Sequence, residues 1–231
     1  MIYCGVRANQ WASSGVTIAI RKDWKRKIQD YTCISDRIIE TRIKVLNRNF
    51  TLVGVYAPVE GKEQDTEEFY RELQQIMDKI PKKENIIVAG DINGRIGYQP
   101  IPECIGTHGE QVLNHNGAAL RDFCAFSKLK ITNSFYRHED MHKFTWEARG
   151  TKSVIDYIII NDKLKSNIKD TRVFRRSKID SDCKLVESKF KSLTHAKHSY
   201  NKTDKTMYKK PPAFKCICWN KNQEELYIET D

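Results

Sequence analysis

The sequence predicts a mixed α+β or α/β fold in which strands outnumber helices and sheets pack on one another. Three observations carry this. Apolar or alternating segments of strand length recur through the first 190 residues. Only two segments show helical spacing, each lying between strand groups. The 231 residues are enough for one sizeable domain with a core, or two small ones.

The elements follow in order. VTIAI (16–20) reads as a strand after the turn residue Gly15. RIIETRIKVL (37–46) alternates Ile39, Thr41, Ile43 and Val45 against Ile38, Glu40, Arg42 and Lys44, a half-buried strand. FTLVGVYAP (50–58) is another, stopped by Pro58. Phe69, Leu73, Ile76, Met77 and Ile80 then recur at helical spacing, with Asp65 or Thr66 as cap and Pro81 past the end. The strand Ile86–Ala89 leads into GDINGRIG, and a Gly/Pro-punctuated loop runs from 94 to 117. Asn116 is placed to cap a second helix that turns Leu120, Phe123 and Cys124 to the core. KITNSF (130–135), KFTWEA (143–148), SVIDYIII (153–160) and LVESKF (185–190) read as strands. A single domain over 1–194 is expected, then a basic tail or linker over 195–231 with little core of its own.

The net charge of +10 is unevenly placed. Residues 163–215 hold 16 Lys/Arg against 5 Asp/Glu, and the rest of the chain 24 against 25. Clustered Lys and Arg favour a polyanionic partner by displacing its counterions. No apolar run approaches the roughly 20 residues of a membrane helix, and MIYCGVRANQ lacks the regions of a secretory signal. An intracellular location, nucleus or cytoplasm, is expected, with no membrane partner. The seven cysteines are odd in number and not regularly paired, so reduced thiols are expected. Cys216 and Cys218 form a C-x-C pair without the partners that would complete a zinc site.

Several residues carry chemistry. Asp91 and Asn93 are two apart at a strand end, where they can project together, with Gly90, Gly94 and Gly97 allowing sharp bends. A carboxylate so placed can orient a water, and an amide can hold a phosphate oxygen. Asp156 interrupts an apolar strand and must meet a cation, a metal, donors or water. Ser181-Asp182 precedes another strand, while Tyr56 and Trp146 lie at Y-A-P and T-W turns.

The ordered set Y-A-P (56–58), G-D-I-N (90–93), T-W (145–146), I-D-Y (155–157) and S-D (181–182) resembles the endonuclease/exonuclease/phosphatase superfamily. In particular it is similar to the apurinic-type endonuclease domains of LINE-type (non-LTR) retrotransposons and to craniofacial-development-protein-2-like sequences. The resemblance covers about residues 2–191, including SDRIIETRIK, FYRELQQIMDKIP, NHNGAALRDFC and HKFTW. It implies a four-layer αββα sandwich and phosphodiester hydrolysis with Mg²⁺ or Mn²⁺, acting on DNA. It assigns Asp91 to the attacking water, Asn93 to Asp91 and the phosphate, Tyr56 to the scissile phosphate, and Asp156 to orienting the acid–base group. Asp182, with Asp91, falls to the metal, and Trp146 is expected to pack beneath the site.

Two departures modify this. The family follows the aspartate of S-D-H with histidine, and this chain has Cys183 there. A thiol donates weakly and is never cationic, and loss of a positioned acid–base group costs about 10²–10⁴-fold in rate. The chain also begins beyond the family's first strands, which carry an asparagine and a metal-binding glutamate, and neither Glu40 nor Glu60 occupies that place. The expectation is therefore an N-terminally truncated, catalytically impaired Mg²⁺-dependent endonuclease domain with a weakly held ion. The alternatives are a non-catalytic nucleic-acid binder and a decayed fragment without selected function.

Overall fold

The computed structural model describes residues 1–5, 14–174, 182–191 and 214–216. In chain order the strands and helices are β1 (Ile2–Gly5), β2 (Gly15–Ile18), β3 (Ile28–Ser35), β4 (Ile38–Val45), β5 (Arg48–Tyr56), α1 (Glu63–Lys79), β6 (Asn85–Asp91), α2 (His115–Phe126), β7 (Leu129–Ile131), α3 (Asp140–Lys143), β8 (Trp146–Ala148), β9 (Thr151–Ser153), β10 (Asp156–Asn161), β11 (Ile168–Val173), β12 (Val186–Phe190) and β13 (Phe214–Cys216).

The scaffold is a six-stranded sheet in the order β3-β4-β5-β6-β10-β7. β5 and β6 are parallel, connected through α1, and the remaining neighbours are antiparallel. Period-two alternation divides the side chains between its faces. Ile38, Val53, Val55, Val88, Tyr157 and Ile159 turn to one face, where Phe69, Leu73 and Ile76 of α1 and Leu120, Phe123 and Cys124 of α2 cover them. Ile43, Phe50, Ile87, Ile158 and Ile160 turn to the other, against Ile168 and Val186 of a second sheet, β11-β12-β13. The β1–β2 hairpin lies on that same face, with Cys4 and Val16 packed on Ile39. Helices, central sheet and second β layer thus form three of the four layers expected of the αββα sandwich.

Several expectations need correction. The Asn114 side chain, not Asn116, caps α2, accepting the Gly117 N–H at 2.9 Å. α1 begins at Glu63 after Lys62 with no side-chain cap; Thr66 instead donates back to the Lys62 carbonyl from inside the helix. KITNSF is strand only to Ile131, and Thr132–Phe135 closes into a 3₁₀ turn. KFTWEA is strand only from Trp146. Cys4 and Cys33 are joined by a disulfide, against the expectation of reduced thiols, because β1 and β3 run close enough to bring their Cα atoms to 5.6 Å. β3 escaped the sequence reading because nearly all its side chains are exposed, so backbone pairing rather than a buried stripe holds it. Within the expected tail, β13 adds a strand to β12; Cys218 and the remainder of that segment lie outside the described residues, as does Ser181.

Among the described residues, no helix is long and apolar enough to cross a membrane.

Candidate active site

Three adjacent strand ends build the site. In the central sheet Tyr56 of β5 pairs with Asp91 of β6, and Asp91 pairs with Asp156 of β10. All three have the parity of Leu52, Ile87 and Ile158, so they lie on the sheet face that meets the second β layer. From that layer, the segment before β12 brings in Cys183. One carboxylate oxygen each from Asp91 and Asp156 and the Cys183 Sγ all lie within 4.8 Å of one another. Asp156 is only 1% exposed.

Close backbone approach makes this register possible. At Gly90 an added Cβ would stand 1.8 Å from the Val55 carbonyl oxygen, so no other residue fits beside β5 there. Beyond Asp91 the chain leaves the sheet. Asn93 takes a left-handed backbone with φ 51°, and its N–H donates to Asp91 Oδ1 at 2.8 Å. Its side-chain NH₂ donates to the Ala57 carbonyl at 2.9 Å, tying the Y-A-P turn to the G-D-I-N turn. Asn93 therefore does not stand beside Asp91 as a strand neighbour would; the break at the strand end turns it inward to hold the adjoining turn.

Other residues fix this frame. Asn116 is buried and donates to the carbonyls of Pro58 and Asn93, at 2.8 and 3.2 Å. Tyr157 Oη donates to the Gly94 carbonyl at 2.9 Å, anchoring the loop beyond Asn93. Thr145 Oγ1 accepts the N–H groups of Ile155 and Asp156 at 3.0 and 3.2 Å, setting where β10 begins. Trp146 forms a backbone bridge with Cys183, flanked by Lys184 N–H to Thr145 carbonyl at 2.6 Å. The T-W segment thus holds the Cys183 backbone, and the Trp146 side chain is half-buried. Arg37 donates to the Tyr56 carbonyl at 3.3 Å and lies 5.4 Å from its ring, a cation at the rim.

The electrostatics follow from the packing. Burial, then the neighbouring Asp156, push the Asp91 carboxyl well above the usual carboxylate range, while the Asn93 N–H pulls it down. Burial and then Asp91 raise the Tyr56 phenol, with the Arg37 cation opposing. Burial, then Asp156, Asp91 and Asp182, push the Cys183 thiol far up. Asp182 is exposed and is not in the cluster; the strand direction gives the inward position to Cys183.

The sequence reading named Tyr56, Asp91, Asp156 and Cys183, and these converge. Asn93 adjoins them in a supporting position, and Asp182 lies outside. It missed Asn116 and Arg37 as ties, and it carried Thr145 and Tyr157 only within the T-W and I-D-Y motifs, with no role of their own. Of these only Tyr157 had a legible signal, a phenol that follows Asp156 in an otherwise apolar strand and must find an acceptor.

The cluster can hold a cation, but its donors do not fit Mg²⁺. That ion takes near-octahedral oxygen ligands, and here one of the three converging atoms is sulfur while the assigned carboxylate of Asp182 faces solvent.

No family model matches the chain. Craniofacial development protein 2 of Bos taurus is 29% identical over 192 residues, 82% of this chain and 32% of that protein. The transposon TX1 uncharacterized 149 kDa protein of Xenopus laevis is 30% identical over 84 residues, 36% of this chain and 6% of that protein. The chain spans about a third of the length of the craniofacial development protein 2 relatives. Among solved structures, the endonuclease domain of TRAS1, a telomere-specific non-LTR retrotransposon, superposes with a TM-score of 0.52 at 17% identity, over 73% of this chain and 69% of that one. The 3′ phosphatase NExo from Neisseria, bound to product DNA hairpin, gives 0.53 at 16%, over 71% of each chain. The strand-end cluster therefore stands on the endonuclease/exonuclease/phosphatase fold, in a chain whose sequence relatives are craniofacial development protein 2 and a transposon protein.

Proposed function

We propose that this chain is a retrotransposon-derived domain of the Mg²⁺-dependent DNA endonuclease class that keeps a cleft for a nucleic-acid backbone and has lost most of its hydrolytic power. The observation that supports this most is the meeting of Tyr56, Asp91, Asp156 and Cys183 at adjoining strand ends, in the order the family's motifs take. In this reading Asp91 orients the attacking water, Asp156 acts on its neighbour in the second layer, and Tyr56 and Arg37 face the phosphate. Asp182 belongs to the solvent side of the cleft. Cys183 stands where a cationic histidine would assist, and a buried thiol beside two carboxylates neither carries positive charge nor gives its proton readily. Since the donors do not fit Mg²⁺, no step is assigned to that ion.

Nicking of supercoiled plasmid in Mg²⁺ or Mn²⁺ tests the proposal. The chain is expected to nick at least about 10²-fold more slowly than its Cys183→His variant, the loss usual for a missing acid–base group. Efficient cleavage by the unaltered chain, abolished by Asp91→Ala, would overturn the assignment of Cys183.

The excess of basic residues over 163–215 favours a second reading, a non-catalytic nucleic-acid binder. It predicts binding that falls steeply with salt and survives EDTA. Deleting the tail would also remove β13 and bare the edge of β12, so neutralising Lys205, Lys209 and Lys210 is the cleaner probe. Either reading keeps an intracellular location, nucleus or cytoplasm; the Cys4–Cys33 disulfide points the other way, since such bonds persist in oxidising compartments.

A further inference from the structure

We propose that the end of the central sheet remote from the strand-end site is a docking surface for a nucleic-acid backbone, built by the connections that enter and leave the strands there. The inference goes beyond the cleft and rests on its nuclease-derived reading only for the identity of the polyanion.

Topology gathers the charge. Tyr56, Asp91 and Asp156 mark one end of β5, β6 and β10, and Arg48, Asn85 and Asn161 mark the other. The register brings the start of β3, the turn between β4 and β5, and the start of β7 to that second end as well. The connections there, 21–27, 80–84, 127–128 and 162–165, together hold 10 Lys/Arg against 3 Asp/Glu. Eight of the ten lie outside 163–215, in a part of the chain whose overall charge is balanced. The fold, not the order of residues, concentrates them.

The three acids are already answered. Asp23 pairs with Arg21 and Asp162 with Lys165, while Glu84 is buried and accepts the Thr51 hydroxyl. Lys22, Lys25, Arg26, Lys82, Lys83 and Lys163 are exposed, and among the described residues none of them has a carboxylate partner. Cations left side by side repel one another, and a polyanion relieves that repulsion while it gains by releasing its own counterions. The richest segment is also held in shape. Lys22–Lys27 forms a 3₁₀ turn, and Trp24 packs on the core around Ile43, Val45 and Phe50 with the Lys27 ammonium 4.3 Å from its ring. Lys22, Lys25 and Arg26 are thus presented to solvent from a fixed base.

The dimensions fit a nucleic acid. Six strands spaced about 4.8 Å apart give a row roughly 24 Å wide, the length of about seven base pairs at ~3.4 Å each. β5 has 9 residues, so at ~3.3 Å per residue the row lies roughly 26 Å from Tyr56. It is a contact separate from the cleft, and it reads charge rather than sequence. The exposed apolar side chains near this end, Leu46 and Phe126, stand singly on separate connections, which suits a phosphate backbone and not insertion into a lipid bilayer.

Binding of a generic DNA duplex to the full chain over a series of salt concentrations provides the test. The combined variant Lys22→Gln, Lys25→Gln, Arg26→Gln, Lys82→Gln and Lys83→Gln is expected to bind every sequence more weakly. Its slope of log affinity against log salt is expected to be shallower by about 4, roughly 0.9 for each cation removed. Acetylation of the unaltered chain, read by mass spectrometry, is expected to spare Lys22, Lys25, Lys82 and Lys83 once DNA is bound, a readout that needs no variant. A slope change below about 1, the share of a single cation, or unchanged labelling of those lysines in the complex would overturn the surface. Phosphatidylserine vesicles bound in place of DNA would overturn nucleic acid as the partner. The two ideas fail separately. DNA bound by the variant with an undiminished slope sinks the surface alone, and protected lysines without any gain of nicking in Cys183→His sink the functional reading alone.

Discussion

Asp91 is held beside the buried carboxylate of Asp156, and the cost of that placement is measurable. Its folded pKa lies above the unfolded value, for burial and for Asp156. The sign is then fixed. The site contributes fully to stability below the ordinary carboxylate pKa of about 4 and loses that contribution as pH rises through the raised folded pKa. In chelator, the melting temperature is expected to fall from about pH 4 toward neutrality, and Asp91→Asn is expected to remove that slope while keeping the acceptor for the Asn93 N–H. Parallel pH profiles for the two proteins would show that Asp91 carries no such burden. The same scale decides between neighbours in the chain: alternation along one extended stretch places Cys183 inward and Asp182 outward.

Between elements, the site depends on turns that are tied to one another rather than to the core alone. Asn116 lies in the first turn of α2 and reaches two carbonyls, Pro58 after β5 and Asn93 after β6. Glu60 accepts the His115 and Asn116 N–H groups at the N-terminus of α2, where negative charge is favoured. Asn116→Ala strands buried carbonyls, each worth about 1–3 kcal/mol when left unsatisfied. A loss of about 2–4 kcal/mol by urea unfolding is expected on that basis, with slower exchange protection lost first in the turns at 57–60 and 92–95. A change below about 0.5 kcal/mol, the size of an ordinary surface substitution, would show that the ties are dispensable.

For the whole molecule, two pieces cover one face of the central sheet: β11–β12–β13 over β6 and β10, and the β1–β2 hairpin over β4 and β5. The hairpin is small, with Cys4 and Val16 its buried residues, and the Cys4–Cys33 bond tethers it to the sheet. That bond closes a loop of sequence separation 29, for which chain entropy gives about 3–4 kcal/mol. Cys33→Ser is therefore expected to lower stability by about 3 kcal/mol in oxidising buffer and to be silent in reductant. Equal stability under both conditions would mean that the hairpin is held by packing alone. Tyr56 packs against this same hairpin, so the tether also bears on the strand-end site.

Much of the molecule could be read from its residues. The strands with a buried stripe, such as 38–45 and 50–56, and the helix carrying Phe69, Leu73 and Ile76 declare themselves because burial on one face enforces a period. Tyr56, Asp91 and Asp156 were legible because a polar group ending or interrupting an apolar strand needs a reason to be there. What periodicity does not encode is how distant segments meet. β3 exposes most of its side chains and β1 buries only Cys4, so pairing partners created them. Asn116 looked like a cap because its contacts at positions 58 and 93 exist only after the turns converge. The inward place of Cys183, the outward place of Asp182 and the bonding distance of Cys4 and Cys33 were decided by packing two layers together, since contacts between residues far apart in the chain depend on that packing and not on any local pattern.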